Sequence, residues 1–204
     1  MQNEVTQSRR AMLLALALSA SGLMLSTIAA RARVRRQTRR REKGEATAGG
    51  PLFWTLENFP TLAQAQAAAG PTGLAAEIAG KVWLFTLAPK GTASAGGSRV
   101  AEIGPVPLVS APEYLLRINH AGGPPGTKTP VHTHPGSEAF YVLAGRLGQQ
   151  TPHGVAHADA GQSMNGHGPD IPMIVFSAGT TNLDQLVMFV VDAGKPFSSP
   201  AKMP

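Results

Sequence analysis

His132 and His134 stand two residues apart, and Glu138 follows four residues after the second, beyond Pro135-Gly136. Alternate side chains of a β-strand share a face, so the two imidazoles project together and can share one ion at about 2.1 Å per bond. A turn at Pro135-Gly136 brings Glu138, at the start of the next strand, towards the same point. Two neutral nitrogens and one carboxylate oxygen make a facial triad that leaves positions open for substrate or oxygen. The chemistry within reach of such a set is activation of a small molecule by a Lewis acid or through dioxygen. In that reading His132 and His134 anchor the ion, while Glu138 completes the triad and acts as the catalytic base when it swings off the metal.

All six histidines fall between positions 120 and 167, and the chain has no cysteine. Disulfides, thiolate metal sites and cysteine nucleophiles are thereby excluded, and any metal must be held by His and carboxylate. His120 lies on the apolar face of its strand and reads as a satisfied core histidine. His153 and His157 bracket a turn and read as facing solvent. His167, in Gly166-His167-Gly168-Pro169, reads equally well as a fourth ligand or as a loop histidine with an ordinary hydrogen bond.

The elements that must position these residues are short strands. Gly and Pro make up roughly a fifth of the 204 residues, high for a helical protein yet below the roughly 25–30% of low-complexity chains. Strand patterns cover 81–87, 98–103, 113–120, 131–134, 138–144, 147–150, 155–160, 171–177 and 183–191, with Gly or Pro at nearly every junction. Nine such strands imply a β-sandwich or barrel. One helix is predicted over 61–69, after Pro60 and before Gly70-Pro71. Residues 113–120 alternate, with Tyr114, Leu116, Ile118 and His120 on one face and Glu113, Leu115, Arg117 and Asn119 on the other. The first face is taken as core, and Tyr114 and Leu116, with Phe140 and Val142, are expected to line the pocket if their faces point inward. Residues 186–191 and 139–144 are apolar on both faces, so their outer side must be covered, either by residues 51–110 or by a second subunit.

Gly126, five residues, His132-Thr133-His134, three residues, Glu138, six residues and Gly145 reproduce every defining position of the first motif of the cupin superfamily, which the chain resembles over roughly residues 113–192. The resemblance implies an all-β fold, a double-stranded β-helix or jelly-roll barrel, often dimeric. It also implies a metal in the barrel mouth, held by the two histidines, the glutamate and a histidine of a second motif. That second motif departs from the pattern. Counting on from Gly161, His167 takes the proline position, Pro169 the glycine position, Pro172 the histidine position and Phe176 the asparagine position. Either the site has three ligands, or His167 enters from its displaced loop, or another histidine substitutes.

Charge divides the chain. Residues 1–43 carry ten basic and two acidic side chains, a net of +8, and the remaining 161 carry eight basic and ten acidic, a net of −2, which together give the formal +6. The high isoelectric point therefore belongs to a leader and not to a polyanion-binding body, and no aromatics are interleaved with the arginines as nucleic-acid binding would want. Residues 11–30 are uncharged, long enough as a helix to cross a bilayer at 1.5 Å per residue. Ser8-Arg9-Arg10-Ala11-Met12-Leu13 resembles a twin-arginine export signal, and Ala30-Arg31-Ala32 offers a small-x-small cleavage site. Three readings stand: a cleaved signal on an exported protein, a membrane anchor with residues 11–43 on anionic lipid, or a misassigned start. The chain divides accordingly into residues 1–32, signal peptide or anchor; 33–50, a basic, flexible linker; and 51–204, the barrel domain.

Two functions follow. One is a metal-dependent, dioxygenase-like enzyme acting on a small organic substrate, with Fe or Mn favoured over Zn or Ni, working as a homodimer without nucleic acid. The other is a non-catalytic barrel that binds or senses a small ligand or a metal.

Overall fold

The computed structural model describes residues 24–35 and 50–204. Their elements are, in order, β1 (Met24–Arg35), β2 (Leu52–Phe59), α1 (Leu62–Ala68), β3 (Gly73–Ile78), β4 (Lys81–Pro89), β5 (Ser98–Ile103), β6 (Glu113–Gly123), β7 (His132–Thr133), β8 (Gly136–Ala144), β9 (Arg146–Thr151), β10 (Gly154–Asp159), β11 (Ser163–Asn165), β12 (Ile174–Ser177), β13 (Leu183–Asp192) and β14 (Ser199–Pro200). All strand pairings are antiparallel, and the one helix is seven residues long.

One sheet runs β1-β6-β13-β8-β11, and facing it is β10-β9-β12. The facing sheet is extended towards β7 by the bridges Lys128↔Phe176 and His132↔Met173. Between β6 and β13 the chain crosses repeatedly from one sheet to the other, which is the winding of a jelly roll. The fold is thus all-β, and the double-stranded barrel implied by the first motif is present. Its interior is packed by Phe140, Val142, Leu147, Val175, Val187, Phe189 and Val191, among others.

The outer face of the larger sheet is covered by residues 52–103. There β3-β4-β2-β5 form a second four-stranded sheet, and Trp54, Leu56, Trp83 and Phe85 pack against Leu116, Ile118, Leu186, Met188 and Val190. Each large apolar side chain so buried contributes roughly 1.5–3 kcal/mol, and this is why β13 is apolar on both faces. Of the two covers considered for 186–191, the chain's own N-terminal part is the one found. The face of β6 taken as core is therefore the outer one. Leu116 and Ile118 point at the covering sheet, the Tyr114 hydroxyl donates to the Val109 carbonyl, and the barrel interior receives Arg117, Asn119 and Ala121 instead.

Helix α1 begins where its sequence says. Thr61 is the N-cap, its Oγ1 accepting from the Gln64 N–H at 3.3 Å, which satisfies one of the open amides of the first turn. Strands β2 and β3 were not anticipated from the pattern; Gly73-Leu74-Ala75-Ala76 has little intrinsic β preference and is strand because β4 supplies its partner. Met24–Arg35 pairs with β6 with an irregularity between Ile28 and Ala32, so the helix read over 11–30 is replaced by strand from Met24 onward. Residues 1–23 and 36–49, with the twin arginines, lie outside the described residues. No helix among the described residues is long and apolar enough to cross a membrane.

Candidate metal centre

The turn after β7 carries the chain from one sheet to the other, and so His132, His134 and Glu138 meet at one end of the barrel. They line a cavity of about 480 Å³ together with Arg117, Asn119, Gln185 and the rings of Phe140, Phe189 and Phe197. The ring centres of His132 and His134 are 5.0 Å apart with the planes at 86°. Two imidazoles sharing an ion at about 2.1 Å place their centres at about this distance. His134 Nε2 and Glu138 Oε2 are 3.9 Å apart.

Each histidine is held at its other nitrogen. His132 Nδ1 donates to the Pro130 carbonyl at 2.9 Å and His134 Nδ1 to the Phe197 carbonyl at 2.6 Å. A proton fixed on Nδ1 leaves the Nε2 lone pair as the acceptor, the tautomer a metal ligand needs, and backbone carbonyls are common partners for that role. The C-terminal segment supplies much of this order. Strand β14 pairs with β7, Pro200 lying opposite His132, and the Phe197 ring packs on His134 at 4.8 Å. Phe189 flanks the same imidazole at 4.9 Å.

Burial decides the protonation states. The His134 imidazole is driven down to about 4 by desolvation, against a raising effect of its bond to Phe197. The Glu138 carboxyl is pushed up to about 8 by its own desolvation, which outweighs the Gln149 hydrogen bond. At neutral pH without a metal, both are uncharged. Their 3.9 Å contact is then no ion pair; a divalent ion would release the Glu138 proton and pair with the carboxylate left behind. Glu138 is 2% exposed, and its Oε1 accepts from Gln149 Nε2 at 2.6 Å, which leaves Oε2 for the histidine side. Among the described residues no group of three His, Cys, Asp or Glu side chains is already gathered around one point. The histidine tautomers and the burial suit a divalent ion, which His132, His134 and Glu138 would hold.

His167 stands elsewhere. Its ring packs on His153 at 5.6 Å, and it is not among the cavity's lining residues. In the neighbourhood of the triad it is Gln149 and Met173 that approach each other, Gln149 Nε2 lying 3.6 Å from Met173 Sδ. His120 is half-buried and not a core residue, its Nε2 meeting Asp184 Oδ1 at 2.5 Å. His153 and His157 are exposed as expected. Of the four side chains expected in the pocket, Phe140 lines it, Val142 is buried in the barrel core, and Tyr114 and Leu116 face outward. Arg117, Gln149, Gln185 and Phe197 were not anticipated. The alternation of 113–120 held the signal for Arg117, had both faces been treated as buried.

Glycines frame the triad. Gly145 has φ +74°, and a side chain there would meet the Asn182 carbonyl oxygen at 2.4 Å, so the motif position tolerates nothing larger. Gly166 lies against Glu138. Its N–H donates to the Glu138 carbonyl at 2.9 Å, and a methyl there would come within 2.8 Å of Glu138 Cγ. Gly166→Ala is expected to displace the carboxylate and weaken metal binding about tenfold, the scale of a lost supporting contact. Gly168→Ala, which would meet only Pro107 at an ordinary 3.6 Å, is expected to leave affinity unchanged; competition with a chromophoric chelator reads both.

Fold and site together define an all-β jelly-roll barrel with a histidine pair and a carboxylate turned into its mouth. No protein-family model matches the chain, and no curated protein matches it. Solved structures similar to it include a cupin-like protein of Thermotoga maritima (13% identity, 46% of this chain and 79% of that one, TM-score 0.38). A cupin domain of Bordetella pertussis is 19% identical over 37% of this chain and 80% of its own, with TM-score 0.32. A DMSP lyase of Ruegeria pomeroyi is 20% identical over 42% of this chain, with TM-score 0.37, and the match spans only 43% of the lyase.

Proposed function

We propose that this chain is a metal-binding cupin that acts on a small organic molecule as a metal-dependent, dioxygenase-like enzyme. The observation that carries the reading is the pair of Nδ1–H···O=C bonds at His132 and His134 beside a buried carboxyl, which turns two Nε2 lone pairs into the cavity. A divalent ion, with Fe or Mn favoured over Zn or Ni, would supply Lewis-acid polarisation and, for Fe or Mn, redox reactivity towards dioxygen. The chain's own residues do the rest. Phe140, Phe189 and Phe197 exclude water around the reacting molecule, and Gln149 fixes the Glu138 carboxyl by its Oε1. Glu138, when it swings off the metal, takes or returns a proton through Oε2.

Elemental analysis of the purified full chain is expected to find one Fe or Mn per chain, and oxygen uptake with a turned-over substrate is expected to follow loading with that metal. Less than stoichiometric metal sinks the reading. Pro172 at the second-motif histidine position, with His167 away from the cavity, favours the alternative of a barrel that binds without turnover; stoichiometric metal with no turnover of bound ligand would support it. We also propose that the chain is exported through its leader, an anchored form being the alternative, and N-terminal sequencing of the mature protein distinguishes them. A homodimer is proposed on the family resemblance, and native mass measurement tests it.

A further inference from the structure

Strand register sets the inner wall of the cavity. Along β6, β13 and β8 the inward residues align in rows: Arg117, Phe189 and Glu138; Asn119, Val187 and Phe140; Ala121, Gln185 and Val142. The first row belongs to the metal centre, since Phe189 flanks His134. Gln185 stands four residues along β13 from Phe189, about 13 Å at backbone level. Between the two, Val187 and Phe140 present apolar surface, and Val175 adds to it from the facing sheet. Asn119, the polar member of the middle row, is engaged, its Oδ1 accepting from Arg117 Nε at 2.8 Å.

Gln185 is out of keeping with its surroundings. The other inward residues of β13, Leu183, Val187, Phe189 and Val191, are all apolar and buried. Gln185 is itself 2% exposed, and its row neighbours Ala121 and Val142 have no polar side-chain atom to offer it. Its Oε1 has no hydrogen-bond partner among the described residues. Trp54, Thr55, Glu57 and Ser177 also carry a buried polar atom in that condition, but of these residues Gln185 alone belongs to the cavity wall. A buried acceptor without a partner costs stability, and an apolar side chain of the same shape would not. The register of β13 against β8 is irregular between Asp184 and Gln185, and irregularities of this kind re-aim the side chain beside them.

We propose that Gln185 determines specificity: its Oε1 accepts a hydrogen bond from a hydroxyl that the ligand carries at the end remote from the histidines, on an apolar body the size of one ring. This rests on the cavity being the ligand site of the reading above, and names the class of molecule it takes. A cavity of about 480 Å³ is in the range that encloses a small molecule. The amide selects the hydroxyl because an analogue without it expels water from Oε1 and leaves the oxygen unpaired.

Calorimetry on the full chain, metal-free and metal-loaded, with 4-hydroxybenzyl alcohol and 4-methylbenzyl alcohol tests the assignment. The two probes share their shape and the alcohol for the metal end, and differ only in the hydroxyl or methyl opposite it. Wild type is expected to bind the hydroxy probe at least about tenfold more tightly, although the methyl probe is the more hydrophobic. Gln185→Met, which keeps the length of the side chain and removes the acceptor oxygen, is expected to reverse that order, and Gln185→Leu to do the same. Both variants are also expected to melt about 2 °C or more above the wild type without ligand, because an unpaired buried amide is gone. A glutamine serving the fold alone would make both melt lower. Equal binding of the probes by the wild type, no binding of either at millimolar concentration, an unchanged preference in both variants, or a lowered melting temperature in both would each overturn the proposal. Metal content measured on the same samples separates the two readings. A hydroxyl preference in protein that binds no metal keeps this inference and removes the metal, whereas one metal per chain without that preference does the reverse.

Discussion

His134→Ala is expected to lower the affinity for a divalent metal by at least about 100-fold, more than the 10- to 100-fold typical of losing a supporting contact. His134 is 4% exposed and wedged between Phe189 and Phe197, and its Nδ1–H is committed to the Phe197 carbonyl. The two rings packed on it offer no nitrogen or oxygen to take over from its Nε2. His132→Ala is expected to cost less, because His132 sits half-buried on the two-residue strand β7 and water can occupy the place of its nitrogen. The buried imidazole also fills space, so His134→Ala leaves a cavity that destabilises the fold. His134→Gln keeps most of the volume and should lose metal with a smaller fall in melting temperature. Elemental analysis with chelator competition, alongside thermal melts, reads the two effects apart. Retention of stoichiometric metal in both His134 variants would falsify the assignment of this residue.

The barrel was legible from the sequence because its strands are marked at both ends by Gly or Pro and in between by apolar alternation. Strand β5 matches its predicted range of 98–103, and α1 falls inside its predicted range because Thr61 caps it. The triad was legible because His132, His134 and Glu138 are close in sequence and two-residue periodicity alone puts the histidines together. What was not legible depends on contacts far along the chain. Phe197, just before β14, lies 63 residues beyond the one histidine it holds, His134. Gln149 reads in sequence as one of two polar residues before a turn, and only the pairing of β9 buries it against Glu138. The same limit explains the misjudged face of β6. Alternation shows that two faces differ, but not which faces the barrel once a second sheet covers the outside. Arg117 was placed on the face opposite the one taken as core, when the covering sheet made that apolar side the outer one.

Metal-free protein is expected to become less stable as the pH rises from 6.5 to 9, by about 2 kcal/mol at about 1.4 kcal/mol per pH unit. The sign follows from Glu138. Its carboxyl is raised from 4.5 to about 8 in the folded chain, so the folded state holds a proton that the unfolded state has released. Stability from this group is complete below pH 4.5 and is lost as the pH climbs through 8. His134 works the other way in a lower window. Its imidazole is lowered from 6.5 to about 4, so its contribution is complete above pH 6.5 and lost as the pH falls towards 4. Between about pH 4.5 and 6.5 the two slopes oppose each other, and above 6.5 the glutamate slope stands nearly alone. Urea denaturation of chelator-treated protein at several pH values in that upper window reads it directly. Glu138→Gln, which cannot ionise, is expected to flatten the slope and to exceed the wild type in stability at pH 9. A bound divalent ion should flatten it as well, because the carboxylate is then ionised and paired in the folded state across the whole range. A metal-free wild type whose stability is level from pH 6.5 to 9, or a Glu138→Gln variant with an unchanged slope, would show that the carboxyl is not held protonated.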